Sequence, residues 1–85
     1  MVIYELTKHA QSRLDERNDI SLEWVERTLL NPQRVESDER DPKLIHALAS
    51  IPEYDNRVLR VVYNPTENPW KIVTVHFDRR MKGKL

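Results

Sequence analysis

The sequence predicts an α+β domain, in which a helical hairpin packs on one face of a three- or four-stranded antiparallel sheet in the order α-α-β-β-β-β. Apolar residues in the first third of the chain repeat at three- and four-residue spacing, which is typical of helices. After Gln33 the apolar spacing becomes alternating, which is typical of strands. The links between these later segments are short and rich in Pro and Asn, so neighbouring strands should pair antiparallel.

The first helix is predicted to begin after Thr7, because a threonine hydroxyl can accept a hydrogen bond from the first helical turn. Ala10 and Leu14 then provide a narrow apolar row at four-residue spacing. The helix should end at residues 18–19, since Asn and Asp compete for local hydrogen bonds. The apolar residues 2–6 before it could be an edge strand or a packed arm.

The second helix is predicted to begin after Ser21, another residue that caps helices well. Leu22, Val25 and Leu29 repeat at helical spacing along it. Residues 31–32 are Asn-Pro and should end the helix, because proline lacks the N–H that would continue the hydrogen-bonded ladder. The two helices are joined by a short turn, as in a helical hairpin.

Four strands are predicted, over residues 34–37, 44–51, 57–63 and 70–77. Alternation assigns one set of side chains to the face beneath the helices: Leu59, Val61, Tyr63, Val73, Val75 and Phe77. Arg60, Thr74 and His76 then lie on the opposite face. The orientation of the strand at 44–51, and so the role of His46, stays open because apolar residues occupy both of its faces.

Length and composition indicate a single domain over residues 1–85 with a flexible basic tail at 78–85. The chain contains no cysteine, which excludes disulfides and thiolate chemistry, and no apolar run long enough to span a membrane. The expected location is therefore the cytoplasm. Although the net charge is zero, residues 56–85 carry seven basic and two acidic side chains. A basic final third suits a partner that bears phosphate.

Histidine and arginine are the residues best suited to chemistry in this sequence. With one glycine, the chain has no phosphate-binding glycine loop, and it shows no metal-ligand or cofactor motif, so we expect neither a metal nor a cofactor. Metal-free cleavage of RNA needs an acid, a base and cations around the phosphate. Histidine supplies the first two and arginine the third.

These residue types yield a specific set of candidates. The predicted catalytic residues are His9, Arg13 and His76. The predicted substrate-binding residues are Arg17, Arg60, Arg79 and Arg80. Four-residue spacing places His9, Arg13 and Arg17 on one side of the first helix. Each candidate also has a structural interpretation: the histidines as packing or exposed residues, the helical arginines as partners of nearby carboxylates, and the last two arginines as part of a solubilising tail.

The segment LTKHAQSRLDERNDIS resembles the opening of a bacterial family of small domains of unknown function. The hallmark of that family is a first helix of the form HAxxRxxxR, followed by Ile-Ser and a second helix that ends at Asn-Pro. The later segments VLRVVY and KIVTVHF look like its last two strands, so the resemblance covers nearly the whole chain. The link Arg17-Asn18-Asp19-Ile20 departs from the family pattern, being one residue longer and without the usual glycine.

The resemblance implies a place beside the RelE, BrnT and barnase-like metal-independent ribonucleases, many of which are toxins of toxin–antitoxin pairs. It implies helices on one face of an antiparallel sheet, possible RNA and antitoxin partners, and a site that contains His9, Arg13 and Arg17. Two functional hypotheses follow. One is a ribonuclease or RNA-binding domain; the other is a non-catalytic interaction or homodimerisation module that uses the open sheet face with Trp24 or Trp70. Convergence of His9, Arg13, Arg60 and His76 in one cavity would favour the first.

Overall fold

The computed structural model describes residues 4–85, and it shows two helices against a five-stranded sheet. The helices are α1 (Lys8–Glu16) and α2 (Leu22–Leu30). The strands are β1 (Tyr4–Leu6), β2 (Arg34–Ser37), β3 (Ile45–Ile51), β4 (Arg57–Asn64) and β5 (Trp70–Phe77). Short 3₁₀ turns occupy Pro52–Tyr54 and Arg79–Met81. The predicted α+β class with helices on a sheet is confirmed.

The strand count and pairing of the prediction were wrong at the N-terminus. The sheet order is β1-β5-β4-β3-β2, and β1 pairs with β5 in parallel, so the sheet is mixed rather than antiparallel. A three-residue strand is too short to show a period of its own. Its partner is β5, the last strand in the sequence. A parallel pair needs a long connection, and here the connection consists of both helices and strands β2 to β4. Val2 and Ile3, also part of the predicted lead-in, lie outside the described residues.

Local hydrogen bonds explain where both helices begin and end. The Thr7 hydroxyl accepts the backbone N–H of Ala10, and the Ser21 hydroxyl accepts that of Glu23, as expected from the sequence. Asn31 closes α2 by donating its backbone N–H to the carbonyl of Arg27. These caps satisfy groups that would otherwise have no partner inside the helix.

The core lies between the helices and the sheet. Its fully buried members include Ala10 from α1 and Val25 from α2. The sheet contributes Ala47, Ile51, Leu59, Val61, Ile72 and Val75. Partly buried aromatic rings pack against this cluster. Trp24 stacks on Tyr54 at 5.8 Å, and Trp70 stacks on the buried core residue Tyr63 at 5.0 Å, between ring centroids. Both tryptophans proposed as contact residues of an interaction module thus pack against the core and remain partly exposed.

One predicted core position on β5 is wrong. Val62 pairs with Thr74 while Tyr63 pairs with Ile72, so the register shifts at this point and Val73 is left over. As a result Ile72 is fully buried in the core, whereas Val73 is only half-buried. A β-bulge of this kind reverses the side-chain alternation on which the prediction depended.

The end of the chain is tied to the fold at residues 78–82, part of the segment predicted to be a flexible tail. Asp78 is buried, and its backbone N–H donates to the carbonyl of Val58. Its side chain caps the 3₁₀ turn by accepting the N–H of Arg80. Lys82 forms an ion pair with Asp55 at 2.8 Å. Basic side chains of this segment are therefore held beside the ends of β4 and β5.

Candidate functional site

Arg60 lies at the centre of a polar cluster on the sheet face opposite the helices. It is directly opposite His76 in the pairing of β4 with β5, and strand alternation gives both side chains the same face, as the sequence predicted. His46 pairs with Val62, two residues further along β4, and so projects on that face as well. This answers the question of which way β3 is oriented, which the sequence left undecided: His46 faces Arg60.

The guanidinium of Arg60 is held by two carboxylates. Its Nε and one terminal nitrogen donate to Asp78 at 3.2 and 2.7 Å, and the other terminal nitrogen donates to Glu36 at 3.1 Å. The side chain of Arg60 is 12% exposed and that of Asp78 is 5% exposed. This is a nearly buried ion pair, which needs such complete hydrogen bonding to offset the loss of hydration.

The pKa values of this pair follow from the competition between burial and hydrogen bonding. Burial raises the pKa of Asp78, but the hydrogen bonds from Arg60 and from the Arg80 backbone outweigh it, so the net pKa lies below the ordinary value. Burial likewise lowers the pKa of Arg60, and the bonds to Asp78 and Glu36 reverse this, leaving a net rise. Both groups are therefore charged at neutral pH.

Both ring nitrogens of His46 are occupied. The Nδ1 atom lies 2.8 Å from a terminal nitrogen of Arg60, and the Nε2 atom lies 2.7 Å from a carboxylate oxygen of Asp38. Because a guanidinium can only donate, Nδ1 must accept, which leaves the proton on Nε2 to be donated to Asp38. His46 is thus a linker between Asp38 and Arg60.

His76 differs from His46 in its surroundings. Burial lowers its pKa, and the positive charge of Arg60 lowers it further. Arg13 and His46 add to the decrease, while Asp78 opposes it. Since a histidine has an ordinary pKa of about 6.5, this shift keeps the ring neutral at pH 7.

The cluster opens into a cavity of about 570 Å³, here called the histidine pocket. Its lining residues are Glu36, Ser37, Asp38, Glu39, Arg40, His46, Arg60, His76 and Arg80. Glu36 and Asp38 are hydrogen-bonded to Arg60 and His46. His76 on β5 and Arg80 in the turn that follows it also line the pocket. The side chain of Arg80 is 89% exposed.

A second cavity of about 360 Å³, here called the basic cleft, lies on the other side of the same turn. It is lined by Arg17, Arg57, Val58, Phe77, Asp78, Arg79 and Lys82. Asp78 faces this cleft, while its partner Arg60 lines the histidine pocket, so their ion pair forms part of the wall between the two cavities.

The structure brings five of the predicted site residues to these two cavities. His76 and Arg80 line the histidine pocket together with Arg60. Arg17 and Arg79 line the basic cleft. Arg13 lines neither cavity, although its positive charge contributes to the lowered pKa of His76.

His9 is separated from the other candidates. It is exposed on α1 and lines neither cavity, so the four residues whose convergence would favour chemistry do not all meet. Its catalytic role stays a prediction that the geometry does not support. His46, by contrast, has no role predicted from the sequence, although it contacts Arg60 directly. The register of the hairpin formed by β3 and β4 would have shown this, and that register depends on tertiary packing.

Two general properties of the described residues bear on the chemistry. Within residues 4–85, no group of three or more His, Asp or Glu side chains is arranged to hold a metal ion. Neither α1 nor α2 combines the length and the apolar character that crossing a bilayer requires.

A family model matches most of the chain. A family model described as a domain of unknown function (DUF4258) matches residues 6–77. No curated protein and no solved structure matches the chain. The matched region contains α1, α2 and all strands from β2 to β5, together with His46, Arg60 and His76.

Proposed function

Because the chain belongs to the DUF4258 family of domains of unknown function, we propose a function from the geometry of its own site: it binds RNA and cleaves it without a metal ion, at the histidine pocket. The observation that carries this proposal is His76. Its ring lies in an open cavity, its pKa is lowered, and it stands directly opposite Arg60 in the sheet. A neutral histidine that substrate can reach is a suitable general base at neutral pH.

The proposed reaction uses the 2′-hydroxyl of RNA as the nucleophile. His76 takes the 2′-hydroxyl proton while the 2′-oxygen forms a bond to phosphorus. The bond from phosphorus to the 5′-oxygen breaks, that oxygen takes a proton from water, and the resulting hydroxide takes the proton from His76. The products are a 2′,3′-cyclic phosphate and a free 5′-hydroxyl. His46 is not assigned the part of the acid, because both of its ring nitrogens already have partners.

Charge stabilisation at the phosphate is assigned to Arg80. Arg80 lines the pocket and is largely exposed, so it can reach a bound phosphate without giving up a strong ion pair. Arg60 was predicted to bind phosphate, but four of its five N–H groups already serve Asp78, Glu36 and His46. We therefore assign Arg60 a positioning role: it lowers the pKa of His76 and holds the pocket wall in place.

The test is cleavage of a fluorescent single-stranded RNA in EDTA, with His76→Ala and His9→Ala compared in parallel. Each variant removes one histidine, but only His76 lines the pocket. His76→Ala should lower turnover by about 10²–10⁴-fold, the usual contribution of a positioned base. The wild-type rate should rise with pH and reach its plateau through a midpoint below about 6.5, because the pKa of the base is lowered.

Thermal unfolding of the same two variants separates removal of the base from loss of the fold. His76→Ala should unfold at a temperature close to that of the wild type while its turnover falls. Loss of activity in His9→Ala with full activity in His76→Ala would move the base to His9 and overturn this assignment. Absence of any cleavage by the wild-type protein would overturn the ribonuclease proposal altogether.

A further inference from the structure

The basic cleft is lined by cationic side chains that have no part in the proposed cleavage reaction. Four cationic side chains line it, namely Arg17, Arg57, Arg79 and Lys82. The one carboxylate in its lining, Asp78, is already hydrogen-bonded to Arg60 and to the Arg80 backbone. The volume of about 360 Å³ falls in the range of small-ligand sites. Such a cavity is suited to an anion.

Two of these four cations have no carboxylate partner. Within the part of the chain that the structure describes, Arg57 and Arg79 form no ion pair. Arg17 pairs with Asp19 at 3.1 Å, and Lys82 pairs with Asp55. Both of these pairs are partly or largely exposed, so their contribution to stability is small and an incoming phosphate can share the cations.

Aromatic rings hold two of the guanidinium groups in place. The Arg57 guanidinium carbon lies 4.4 Å from the centroid of the Tyr54 ring, and that of Arg17 lies 5.8 Å from the centroid of the Phe77 ring. Stacking occupies the face of a guanidinium and leaves its edge of N–H groups able to donate. An edge of this kind matches the oxygens of a phosphate.

The location of the cleft indicates which phosphate it would take. Arg79 lines the basic cleft and Arg80, the next residue, lines the histidine pocket. The two cavities are therefore separated by little more than the turn at residues 78–80 and the ion pair between Arg60 and Asp78. One RNA strand can therefore reach both cavities.

We propose that the basic cleft binds a backbone phosphate of the same RNA strand, next to the phosphate held in the histidine pocket. This inference rests on the proposed function in that RNA is the ligand. Arg57 and Arg79 supply the contacts, because among residues 4–85 they are the two lining cations that no carboxylate pairs with. The cleft thus strengthens the binding of the RNA and orients it for cleavage at the histidine pocket, on the other side of the turn.

The test measures binding of a fluorescent 2′-O-methyl RNA oligonucleotide, which lacks the nucleophilic hydroxyl and so cannot be cleaved. Arg57→Ala/Arg79→Ala should weaken binding by at least about tenfold, since hydrogen bonds to charged groups are the stronger kind. The dependence of log K on log salt should become shallower by about 0.7 for each phosphate that is no longer neutralised. Arg57→Lys/Arg79→Lys keeps the positive charges but loses the paired N–H donors of the guanidinium groups. Its affinity for the oligonucleotide should lie between that of the wild type and that of the double alanine variant.

The matched control is Lys8→Ala/Lys43→Ala. It removes the same charge from two exposed lysines that line neither cavity. If RNA binding weakens equally in Arg57→Ala/Arg79→Ala and in this control, the loss is explained by net charge alone, and the proposal is overturned. Inorganic phosphate is titrated alone in a separate arm. If it occupies the cleft as tightly as the oligonucleotide does, the cleft is a site for a free anion, and the proposal is again overturned.

Failure of this inference can be told apart from failure of the ribonuclease proposal. If wild-type protein cleaves RNA but Arg57→Ala/Arg79→Ala binds the analogue as the control does, the cleft is not part of the site and the cleavage proposal stands. If the wild type binds the analogue through Arg57 and Arg79 but cleaves nothing, the cleft proposal stands and the reaction does not.

Discussion

At the residue scale, the ion pair between Arg60 and Asp78 organises the site. It joins β4 to the turn after β5, and Arg60 extends the network through His46 to Asp38. Arginine was expected on the open face from alternation alone, but its partners were not. The sequence separations of 18 residues to Asp78 and 24 residues to Glu36 leave no local pattern by which either pair could be recognised.

Neutralising Asp78 should destabilise the protein strongly. Asp78→Asn leaves the guanidinium of Arg60 nearly buried with only Glu36 as a charged partner. Breaking a buried pair by removing one member typically costs about 3–5 kcal/mol, and because Glu36 remains we expect about 3 kcal/mol in the free energy of unfolding. Denaturant unfolding measures this. Glu53→Gln, which breaks the exposed pair with Arg27, is the control and should change stability little. A similar effect in both variants would contradict the assigned role.

At the element scale, α1 is attached to the sheet through the residue that caps it. The Thr7 backbone N–H donates to the carbonyl of Ile72 at 3.0 Å, and the Thr7 hydroxyl donates to the carbonyl of Val73 at 3.2 Å. The same hydroxyl accepts the N–H of Ala10 as the helix cap. The cap was predictable because it involves residues three apart. The link to β5 was not, since it depends on the parallel pairing of β1.

Removing the Thr7 hydroxyl should therefore cost more than loss of an ordinary cap. Thr7→Ala should lower the free energy of unfolding by about 1–2 kcal/mol, and Thr7→Ser should recover most of this decrease. Ser21→Ala is the comparison, because Ser21 caps α2 through Glu23. Denaturant unfolding of the three variants provides the measurement. A decrease in Thr7→Ala no greater than that in Ser21→Ala would show that the bond to β5 adds nothing.

At the scale of the whole molecule, the uneven charge acquires a definite location. The excess of basic residues after position 55 lies largely around the two cavities, with Arg57 and Arg79 in one and Arg80 in the other. Acidic residues between positions 36 and 39 border the histidine pocket, where Glu36 and Asp38 hold Arg60 and His46. Although the net charge of the chain is zero, the structure thus contains a cationic cleft beside a polar pocket.

RNA binding by the wild-type protein should fall steeply with salt. Each phosphate neutralised by a cation releases condensed counterions, so the plot of log K against log salt for a single strand should have a slope of about −0.7 per contact. One phosphate in the basic cleft and one in the histidine pocket together predict a slope of about −1.4. Fluorescence anisotropy with a single-stranded RNA between low and physiological salt gives the slope. Binding that does not respond to salt would count against a site that recognises phosphates.

Features that arise from neighbouring residues could be predicted from the sequence alone. The sequence predicted both helix starts, the stop at Asn31, the positions of β2 to β5 within a residue or so, and the shared face of Arg60 and His76. Caps, proline and alternation act within a few residues, and their effects can therefore be predicted directly from the chain.

Three features become apparent only in the folded protein: the pairing of β1 with β5, the bulge that buries Ile72 in place of Val73, and the orientation of His46 towards Arg60. Each of these depends on which distant strands pair and in what register. Register is set by packing across the whole sheet, and a shift of one residue turns every side chain to the other face. For this reason the candidate residues were largely visible in the sequence, while their division between a histidine pocket and a basic cleft was not.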